Sequence, residues 1–205
     1  MLRILKSLLV ILAVTAVAVG ATSAYFSDTI QVAGNTFTAG TLELNVDGTR
    51  TPSAKFNVSN MRPDSQPKGS WTLANVGSIN GYLDLENISV VNQENGCNGA
   101  EVAAGDLMTC NNPGVGEGEL QDVVNLRLFV DRDGDGWISA GDLVFYYGKV
   151  RDLPSSFDLN EPINAGSSTK IVALFDWWST PSDDLAQGDS FVLDLSFELA
   201  QTTGQ

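Results

Sequence analysis

Short segments in which every second residue is apolar recur along this chain of 205 residues. Successive side chains of a β-strand point to opposite faces, so this period gives each segment one face that a core can bury. Residues typical of turns, such as Asp47-Gly48 and Asn80-Gly81, separate the segments. The pattern predicts an all-β protein, a jelly-roll-like antiparallel β-sandwich. The predicted strands include residues 41–46, 71–73, 82–85, 124–130 and 191–199.

Helical periodicity is weak throughout the sequence. Ala100 to Met108 is the one stretch that we expect to form a short helix. The sandwich is predicted to span residues 36–205 as one domain, which is long enough to bury a sizeable core. A Gly- and Asn-rich segment at 92–118 and an acidic segment at 131–142 lie between its strands.

The first 24 residues have the three-part layout of a secretory signal peptide. Arg3 and Lys6 form a basic start, residues 8–20 form an apolar run broken by a single threonine, and small residues lead up to Ala24. We expect signal peptidase to cut between Ala24 and Tyr25, so that the mature protein is secreted and lies outside the cell or on its surface. The alternative is an uncleaved anchor, in which this segment alone would hold the protein to a membrane.

The chain contains no histidine. This excludes Ser-His-Asp and Cys-His nucleophile systems and every zinc site with a histidine ligand, and we therefore expect no enzymatic activity. Acid pairs such as Glu119 with Asp122 are attributed to the acid-rich composition and to solvated surface.

The net charge is strongly negative, with 25 acidic and 11 basic side chains and a formal charge of −14. Loss of Arg3 and Lys6 with the signal peptide would leave 9 basic residues and a charge of −16. Such a charge keeps a secreted protein soluble. It excludes nucleic acid as a partner, because phosphate binding requires a basic face.

Cys97 and Cys110 are the two cysteines of the chain. In a secreted protein they are expected to form a disulfide that closes the polar segment at 92–118. Closing a loop of this size stabilises the fold by about 3 kcal/mol on the chain-entropy estimate. The alternative is a pair of free thiols.

The acidic segment at 131–142 has the ligand spacing of an EF-hand calcium loop. Oxygen ligands fall at positions 1, 3, 5, 7, 9 and 12 of the loop, where position 7 contributes its backbone carbonyl. The predicted ligands are Asp131, Asp133, Asp135, Trp137, Ser139 and Asp142. Gly136 occupies position 6, where the chain must turn sharply. Four carboxylates this close repel one another unless a cation neutralises them, and Ca²⁺ fits such oxygen donors.

The flanks of this loop do not resemble those of an EF-hand domain. Residues 126–129 and 143–150 are strand-like, and Asp142 is shorter than the glutamate that usually closes the loop. We therefore expect a structural Ca²⁺ site that holds a β-hairpin connection, and no calcium-sensor role. The alternative is a solvated Asp-Gly turn.

Two further sequence features suggest ligands or modifications. Asn57-Val58-Ser59 and Asn87-Ile88-Ser89 are sequons, so Asn57 and Asn87 are possible N-glycosylation sites. Trp177 and Trp178 lie next to Asp176 and suggest a platform for stacking sugars. The alternative for these tryptophans is a place in the core or in an interface.

The mature chain is predicted to begin with a short amphipathic strand at 25–32, followed by a flexible joint that ends at Asn35. One face of this strand carries Phe26, Asp28, Ile30 and Val32. The other carries Ser27, Thr29 and Gln31, and Tyr25 begins the strand. Such a strand can fold back on its own sheet or add to a sheet edge of a neighbouring molecule, and the residues alone favour neither.

Several blocks of the sequence resemble the TasA/camelysin family of secreted fibre-forming proteins, which includes archaeal bundling-pilus subunits. The first is Tyr25-Phe26-Ser27-Asp28 followed by Gly34-Asn35-Thr36-Phe37-Thr38-Ala39-Gly40. Two more are Asn57-Val58-Ser59-Asn60-Met61-Arg62-Pro63-Asp64 and Leu73-Ala74-Asn75-Val76-Gly77-Ser78, and the span 187–200 resembles the closing strand. Residues 93–152 do not follow the family pattern.

The resemblance implies a jelly-roll subunit that polymerises with copies of itself, head to tail, into a pilus or a biofilm-matrix fibre. In relatives the N-terminal strand of one subunit completes the sheet of the next, which assigns residues 25–32 as the donor strand. The peptidase activity described for some relatives is not expected in a chain without histidine. The alternatives are a monomeric surface adhesin or S-layer-like protein and a carbohydrate-binding module.

Overall fold

The computed structural model describes residues 40–50, 53–59, 61, 64–106, 109, 111–178 and 183–204, with residues 53–55 and 183 described for their backbone only. The predicted signal peptide at 1–24, its cleavage site and the predicted donor strand and joint at 25–35 lie outside these residues. Cys110 lies outside them as well.

Nine strands dominate the described residues, as the apolar alternation predicted. They are β1 (Leu44–Val46), β2 (Ser53–Ser59), β3 (Lys68–Asn75), β4 (Gly81–Gln93), β5 (Asn125–Asp131), β6 (Leu143–Lys149), β7 (Phe157–Ile163), β8 (Ser168–Asp176) and β9 (Ser190–Ala200). Two short α-helices, α1 (Gly99–Ala104) and α2 (Leu120–Val123), and the 3₁₀ turns Val150–Asp152 and Asp183–Ala186 connect them. Within this part of the chain, no helix has the length and apolarity needed to cross a bilayer.

The strands form two antiparallel sheets, which confirms the predicted β-sandwich. One sheet has the order β1-β3-β8-β5-β6 and the other has the order β2-β9-β4-β7. Four strand pairs are nested in sequence: β5 with β6 is the innermost, followed outward by β4 with β7, β3 with β8 and β2 with β9. This winding of β2 to β9 is that of a jelly roll.

The core between the sheets is built from alternating side chains, and β9 shows this most clearly. Its inward face consists of Phe191, Leu193, Leu195, Phe197 and Leu199, and all of them are buried. The predicted strand at 191–199 is therefore confirmed, with its five apolar residues on one face. Full burial of each such side chain stabilises the fold by about 1.5–3 kcal/mol.

An aromatic group joins the two sheets near β2. The ring of Phe56 stacks on Phe175 at 5.2 Å between centroids and lies edge-on to Trp71 at 6.4 Å. Trp71 in turn meets Phe197 edge-on at 5.8 Å. These contacts place the edge of β2 over β3 and β8.

Strand β8 shows why alternation alone missed some strands. Residues 171–175 form an unbroken apolar run that has no period of two. Ile171, Ala173 and Phe175 belong to the main core, whereas Val172 and Leu174 form a second buried group with Phe129 of β5. A central strand that is buried on both faces reads as a continuous apolar run, which cannot be distinguished from a buried helix by periodicity.

The predicted short helix at 100–108 is present but shorter. It begins at Gly99, because the side chain of Asn98 accepts hydrogen bonds from the N–H groups of Ala100 and Glu101 while Glu101 bonds back to the Asn98 N–H. It ends at Ala104, because Gly105 adopts the left-handed conformation with φ of 92°.

The β3–β4 connection depends on the buried side chain of Asn75. Its Nδ2 donates to the carbonyls of Ile79 (2.8 Å) and Ile163 (3.0 Å), and its Oδ1 accepts from the N–H of Gly77 (3.0 Å). A Cβ on Gly77 would come within 2.1 Å of the carbonyl oxygen of Thr41. The family-like block at 73–78 therefore fixes the turn and the path of the chain that enters β1.

We predict that Asn75→Ala destabilises the protein by about 2 kcal/mol, because the buried carbonyl of Ile163 and two partly buried backbone groups lose their partner. The melting temperature should then fall by about 4–8 °C. Asn57→Ala, on the exposed side of β2, is the matched control and should change it little. Equal melting temperatures for the two variants in calorimetry would contradict this role of Asn75.

Candidate functional site

The acidic segment at 131–142 connects two paired strands. β5 ends at Asp131, β6 begins at Leu143, and the pairing of Val130 with Leu143 closes the hairpin. The flanks are strands, as predicted, and the segment occupies the connection between them. Gly134 and Gly136 both have positive φ, 82° and 76°, which lets the connection turn tightly around the carboxylate of Asp131.

Three of the four predicted carboxylate ligands lie close together. One carboxylate oxygen from each of Asp131, Asp133 and Asp142 lies within 4.8 Å of the other two. Asp131 is buried, Asp142 is half-buried and Asp133 is exposed. Asp135 is exposed and is not part of this close group. Its Oδ1 accepts a hydrogen bond from the N–H of Trp137 at 2.6 Å.

Backbone N–H groups hold these carboxylates in place. Asp131 accepts from the N–H groups of Gly134 (2.8 Å) and Gly136 (3.0 Å). Asp142 accepts from those of Arg132 (2.9 Å) and Ser139 (2.7 Å). A carboxylate has about four lone-pair sites, so these bonds leave acceptor capacity on each group.

The predicted ligand Ser139 contacts the same carboxylates. Its hydroxyl donates to Asp133 Oδ2 at 2.8 Å. This hydrogen bond, together with one from the N–H of Asp135, lowers the pKa of Asp133 below its usual value. The N–H groups of Arg132 and Ser139 likewise lower the pKa of Asp142. Both groups are therefore ionised at neutral pH, as a cation site requires.

Two lysines approach the loop from neighbouring strands. Lys170 Nζ lies 3.4 Å from Asp131 Oδ2 and 3.0 Å from the carbonyl oxygen of Gly134. Lys68 Nζ lies 3.0 Å from the carbonyl oxygen of Gly136 and 4.0 Å from the centroid of the Trp137 ring. These ammonium groups neutralise part of the loop charge, which the sequence did not predict because both lysines are distant along the chain.

The two tryptophans at 177–178 do not form a sugar-stacking platform. Trp177 is 1% exposed and belongs to the main core, whereas Trp178 is 62% exposed. The prediction of a paired platform is therefore wrong, because the two neighbours point into different environments. The core alternative holds for Trp177.

The sequons lie on the surface of the four-stranded sheet. Asn57 is exposed in β2, and Asn87 is exposed in β4 with a positive φ of 52°. Asn87 lies where the register between β4 and β9 shifts. Glycosylation of either residue stays a prediction.

The segment at 92–118 lies against the ends of β4 and β9. Asn92 Nδ2 donates to the carbonyl of Gly118 at 2.7 Å, and Asn95 Nδ2 donates to that of Gly188 at 2.9 Å. Because Cys110 lies outside the described residues, its pairing with Cys97 stays a prediction.

The assignment of Glu119 to solvated surface is wrong. Glu119 is half-buried, and burial together with the neighbouring charges of Asp189 and Asp106 raises its pKa to about 8. Its predicted companion Asp122 lies instead 3.8 Å from Arg151. The sequence reading missed the buried acids around Glu119, although one signal was present: no lysine or arginine occurs between Lys68 and Arg127.

We predict that the calcium-free 131–142 loop loosens on acidification. Because folding lowers the pKa of Asp133 and Asp142 below the ordinary 3.8, their contribution to stability is complete above that value. It is lost as the pH falls through the lowered pKa. The fluorescence of half-exposed Trp137, obtained by difference from Trp137→Phe, should change below about pH 4. A midpoint above pH 5 would contradict this sign.

The comparisons with known proteins concern the N-terminal half of the chain. The model of a family described as camelysin metallo-endopeptidase matches residues 6–107, about half of the chain. No curated protein matches the chain closely enough to count as a relative. The matched span covers β1 to β4 and α1 and ends before the acidic loop. In agreement with the resemblance of its opening blocks, the chain belongs to the camelysin family.

Proposed function

We propose that this protein is a secreted structural subunit that polymerises into extracellular filaments by donor-strand complementation. Three observations carry the proposal: the match to the camelysin family, a jelly roll in which part of the β3 edge has no paired strand among the described residues, and a predicted amphipathic strand after the predicted signal peptide. The donor strand is Tyr25 to Val32, and the acceptor is a sheet edge of the next copy. A monomeric surface adhesin or S-layer-like protein is the alternative.

The edge of β3 is the acceptor that the geometry favours. β1 pairs only with residues 73–75 of β3, and Asp47 continues this contact to Thr72. The backbone N–H and C=O groups of successive residues in a strand point to opposite sides, so those of Ser70 point to the same side as those of Thr72. Among the described residues no strand pairs with Lys68–Trp71 on that side. An added strand would bond there and lie beside half-buried Phe56.

The energetics of such a joint come from both backbone and side chains. Main-chain hydrogen bonds would set the register, and Phe26, Ile30 and Val32 would each contribute about 1.5–3 kcal/mol on burial. While the signal peptide is attached, the donor strand is held next to a membrane-bound segment. Cleavage would therefore release subunits for assembly only after export.

We predict that deletion of residues 25–32 with retained secretion abolishes filaments in negative-stain electron microscopy. A more specific test compares two substitutions in the donor strand, Ile30→Asp and Gln31→Asp. The first places a charge on the apolar face of the donor strand, where burial without a partner is costly, and should prevent assembly. The second adds the same charge to the polar face and should leave filaments intact.

A synthetic peptide of Tyr25 to Val32 should bind the deletion variant, because that variant keeps the acceptor edge. The same peptide with the Ile30→Asp change should bind at least about tenfold more weakly. Normal filaments from the deletion variant would refute the proposal. A strictly monomeric mature protein in light scattering would favour the adhesin alternative.

Peptidase activity is not part of the proposal. The family description names metallo-endopeptidases, but this chain has no histidine to serve as a zinc ligand or as a general base. A carbohydrate-binding role is weakened as well, because Trp177 is buried in the core.

We also propose that the 131–142 loop holds a structural Ca²⁺. The carboxylates of Asp131, Asp133 and Asp142 offer oxygens that lie close together, and a flexible oxygen coordination sphere is what Ca²⁺ prefers. The Trp137 carbonyl and the side chains of Asp135 and Ser139 are the remaining predicted ligands. Bound Ca²⁺ would join the two ends of the connection and hold the β5–β6 hairpin closed.

We predict that Ca²⁺ at 100 times its dissociation constant stabilises the protein by about 2.7 kcal/mol, which raises the melting temperature by about 5–10 °C. Combined Asp133→Asn and Asp142→Asn should remove the part of this shift that comes from the loop. Asp158→Asn, at an exposed position of β7, should retain it. A loop-dependent shift of zero in differential scanning calorimetry would refute the calcium loop.

A further inference from the structure

A second group of carboxylates converges at one end of the sandwich. The residues lie at five places along the chain: Glu94 after β4, Glu101 in α1, Asp106 after α1, Glu119 before α2 and Asp189 before β9. One oxygen each of Glu94, Asp106 and Glu119 lie within 4.8 Å of one another, and so do oxygens of Glu94, Glu101 and Asp189. Glu94 belongs to both sets. We call these five residues the buried acid cluster.

The register of the four-stranded sheet brings the first two members together. Gln93 at the end of β4 pairs with Ser190 at the start of β9. The next residues outward are Glu94 and Asp189, which are therefore neighbours. Asp189 then accepts from the N–H of Glu119 at 2.6 Å, and this bond brings in the segment before α2.

The cluster is removed from solvent. Glu94 and Asp189 are 1% exposed, Glu101 is 0% exposed and Asp106 is 8% exposed. Carboxylates are almost never buried to this degree unless they are paired or bind a metal. Four buried carboxylates beside half-buried Glu119 therefore require an explanation.

Four of these carboxylates each have one buried oxygen that no hydrogen-bond donor contacts. Glu94 Oε1 accepts from the Gly96 N–H at 2.6 Å, and Glu101 Oε2 accepts from the Asn98 N–H at 2.7 Å. The second oxygens Glu94 Oε2, Glu101 Oε1, Glu119 Oε2 and Asp189 Oδ1 are buried without a hydrogen-bond donor. Four such oxygens in one place form a cage of hydrogen-bond acceptors.

Among the described residues, no lysine or arginine forms an ion pair with Glu94, Glu101, Glu119 or Asp189. Burial, followed by mutual repulsion, raises the pKa of Asp189 to about 6 and also raises that of Glu101. The protein alone therefore pays a large desolvation and repulsion cost to keep these groups together.

We propose that the buried acid cluster is a second Ca²⁺ site, with Glu94 as the ligand shared by its two sets of oxygens. The donors are all oxygens, and the chain has no histidine, which disfavours zinc, nickel and copper. Ca²⁺ accepts six to eight oxygens in irregular geometry, whereas Mg²⁺ demands a near-octahedral shell and keeps its waters. A crowded, water-poor cage of carboxylates suits the former.

The cation would fix a segment that lacks an apolar core of its own. Val102 and Val115 of this segment are exposed, and its contacts to β4 are backbone and amide hydrogen bonds. Ca²⁺ held by Glu94, Glu101, Glu119 and Asp189 would tie α1 and the start of α2 to the start of β9. The site lies outside the 131–142 loop and does not depend on filament assembly.

The test uses the secreted protein carrying Asp133→Asn and Asp142→Asn, which disables the calcium loop, after dialysis against a chelator. Calorimetric titration with CaCl₂ should still show binding of at least one Ca²⁺ per chain. Adding Glu94→Gln should weaken this binding at least about tenfold, because affinity follows the charge of the ligands. Glu117→Gln, in the same segment but outside the cluster, is the matched control.

Melting temperatures provide a readout that a purely structural role for Glu94 would not reproduce. Without Ca²⁺, Glu94→Gln removes repulsion and should melt higher than the parent. With Ca²⁺ it should melt lower than the parent. Glu94→Gln should also be made in protein with an unsubstituted 131–142 loop. Native mass spectrometry of this variant should show loss of the Ca²⁺ bound at the cluster and retention of the Ca²⁺ bound at the loop. This control does not depend on correct folding of the loop variant.

Three outcomes would overturn the proposal. They are no Ca²⁺ binding by the loop-disabled protein at millimolar Ca²⁺, unchanged binding after Glu94→Gln, and a melting temperature that responds to acidification but not to Ca²⁺. The last would mean that protons alone neutralise the cluster. Failure of the 131–142 loop to bind Ca²⁺ would leave these results unaffected.

Discussion

The pairing of β4 with β9 is the contact on which the rest of the structure depends. These two long strands form the centre of the four-stranded sheet and pair from Tyr82 with Ala200 to Gln93 with Ser190. Their inward side chains form much of the core, so a register slip by one residue would turn an apolar face outward. The same register decides what meets at each end of the sandwich. At one end it sets Glu94 beside Asp189, and at the other it brings the end of β9 next to the start of β4, which follows the turn that Asn75 holds.

The sequence was informative wherever one face of a strand is buried and the other is solvated. β9 and β5 were predicted within one residue of their bounds, because their alternation follows the pleat. β8 was missed because both of its faces are covered, and in β7 the polar side chain of Glu161 interrupts the alternation. β2 was missed although Ala54, Phe56 and Val58 do alternate with polar residues. The fold class was predictable because the number of turn signals and short strands leaves few architectures. The order of strands within the sheets was not, because it depends on contacts between distant segments.

The two acidic sites differ in how much of them a sequence can reveal. The 131–142 loop is local, so ligand spacing along the chain is also spacing in space, and three of its carboxylates do come together. The lysines that approach it, Lys68 and Lys170, come from β3 and β8 and could not be foreseen. The buried acid cluster combines acids of the segment between β4 and β5 with Asp189, which is distant along the chain. From the sequence, its members cannot be distinguished from surface acids. The β4–β9 register and the capping of α1 bring them together in the folded protein.

The short β1 strand has a mechanical consequence. Within the part of the chain that the structure describes, it leaves a portion of the β3 edge unpaired, and a strand added there would run antiparallel or parallel to β3. Tension on a filament joined in this way would pull the added strand along its own axis. All of its hydrogen bonds would then be loaded at once in shear, so that they must break together and not one after another. A short edge strand in a single subunit would thus determine how much force a whole fibre withstands.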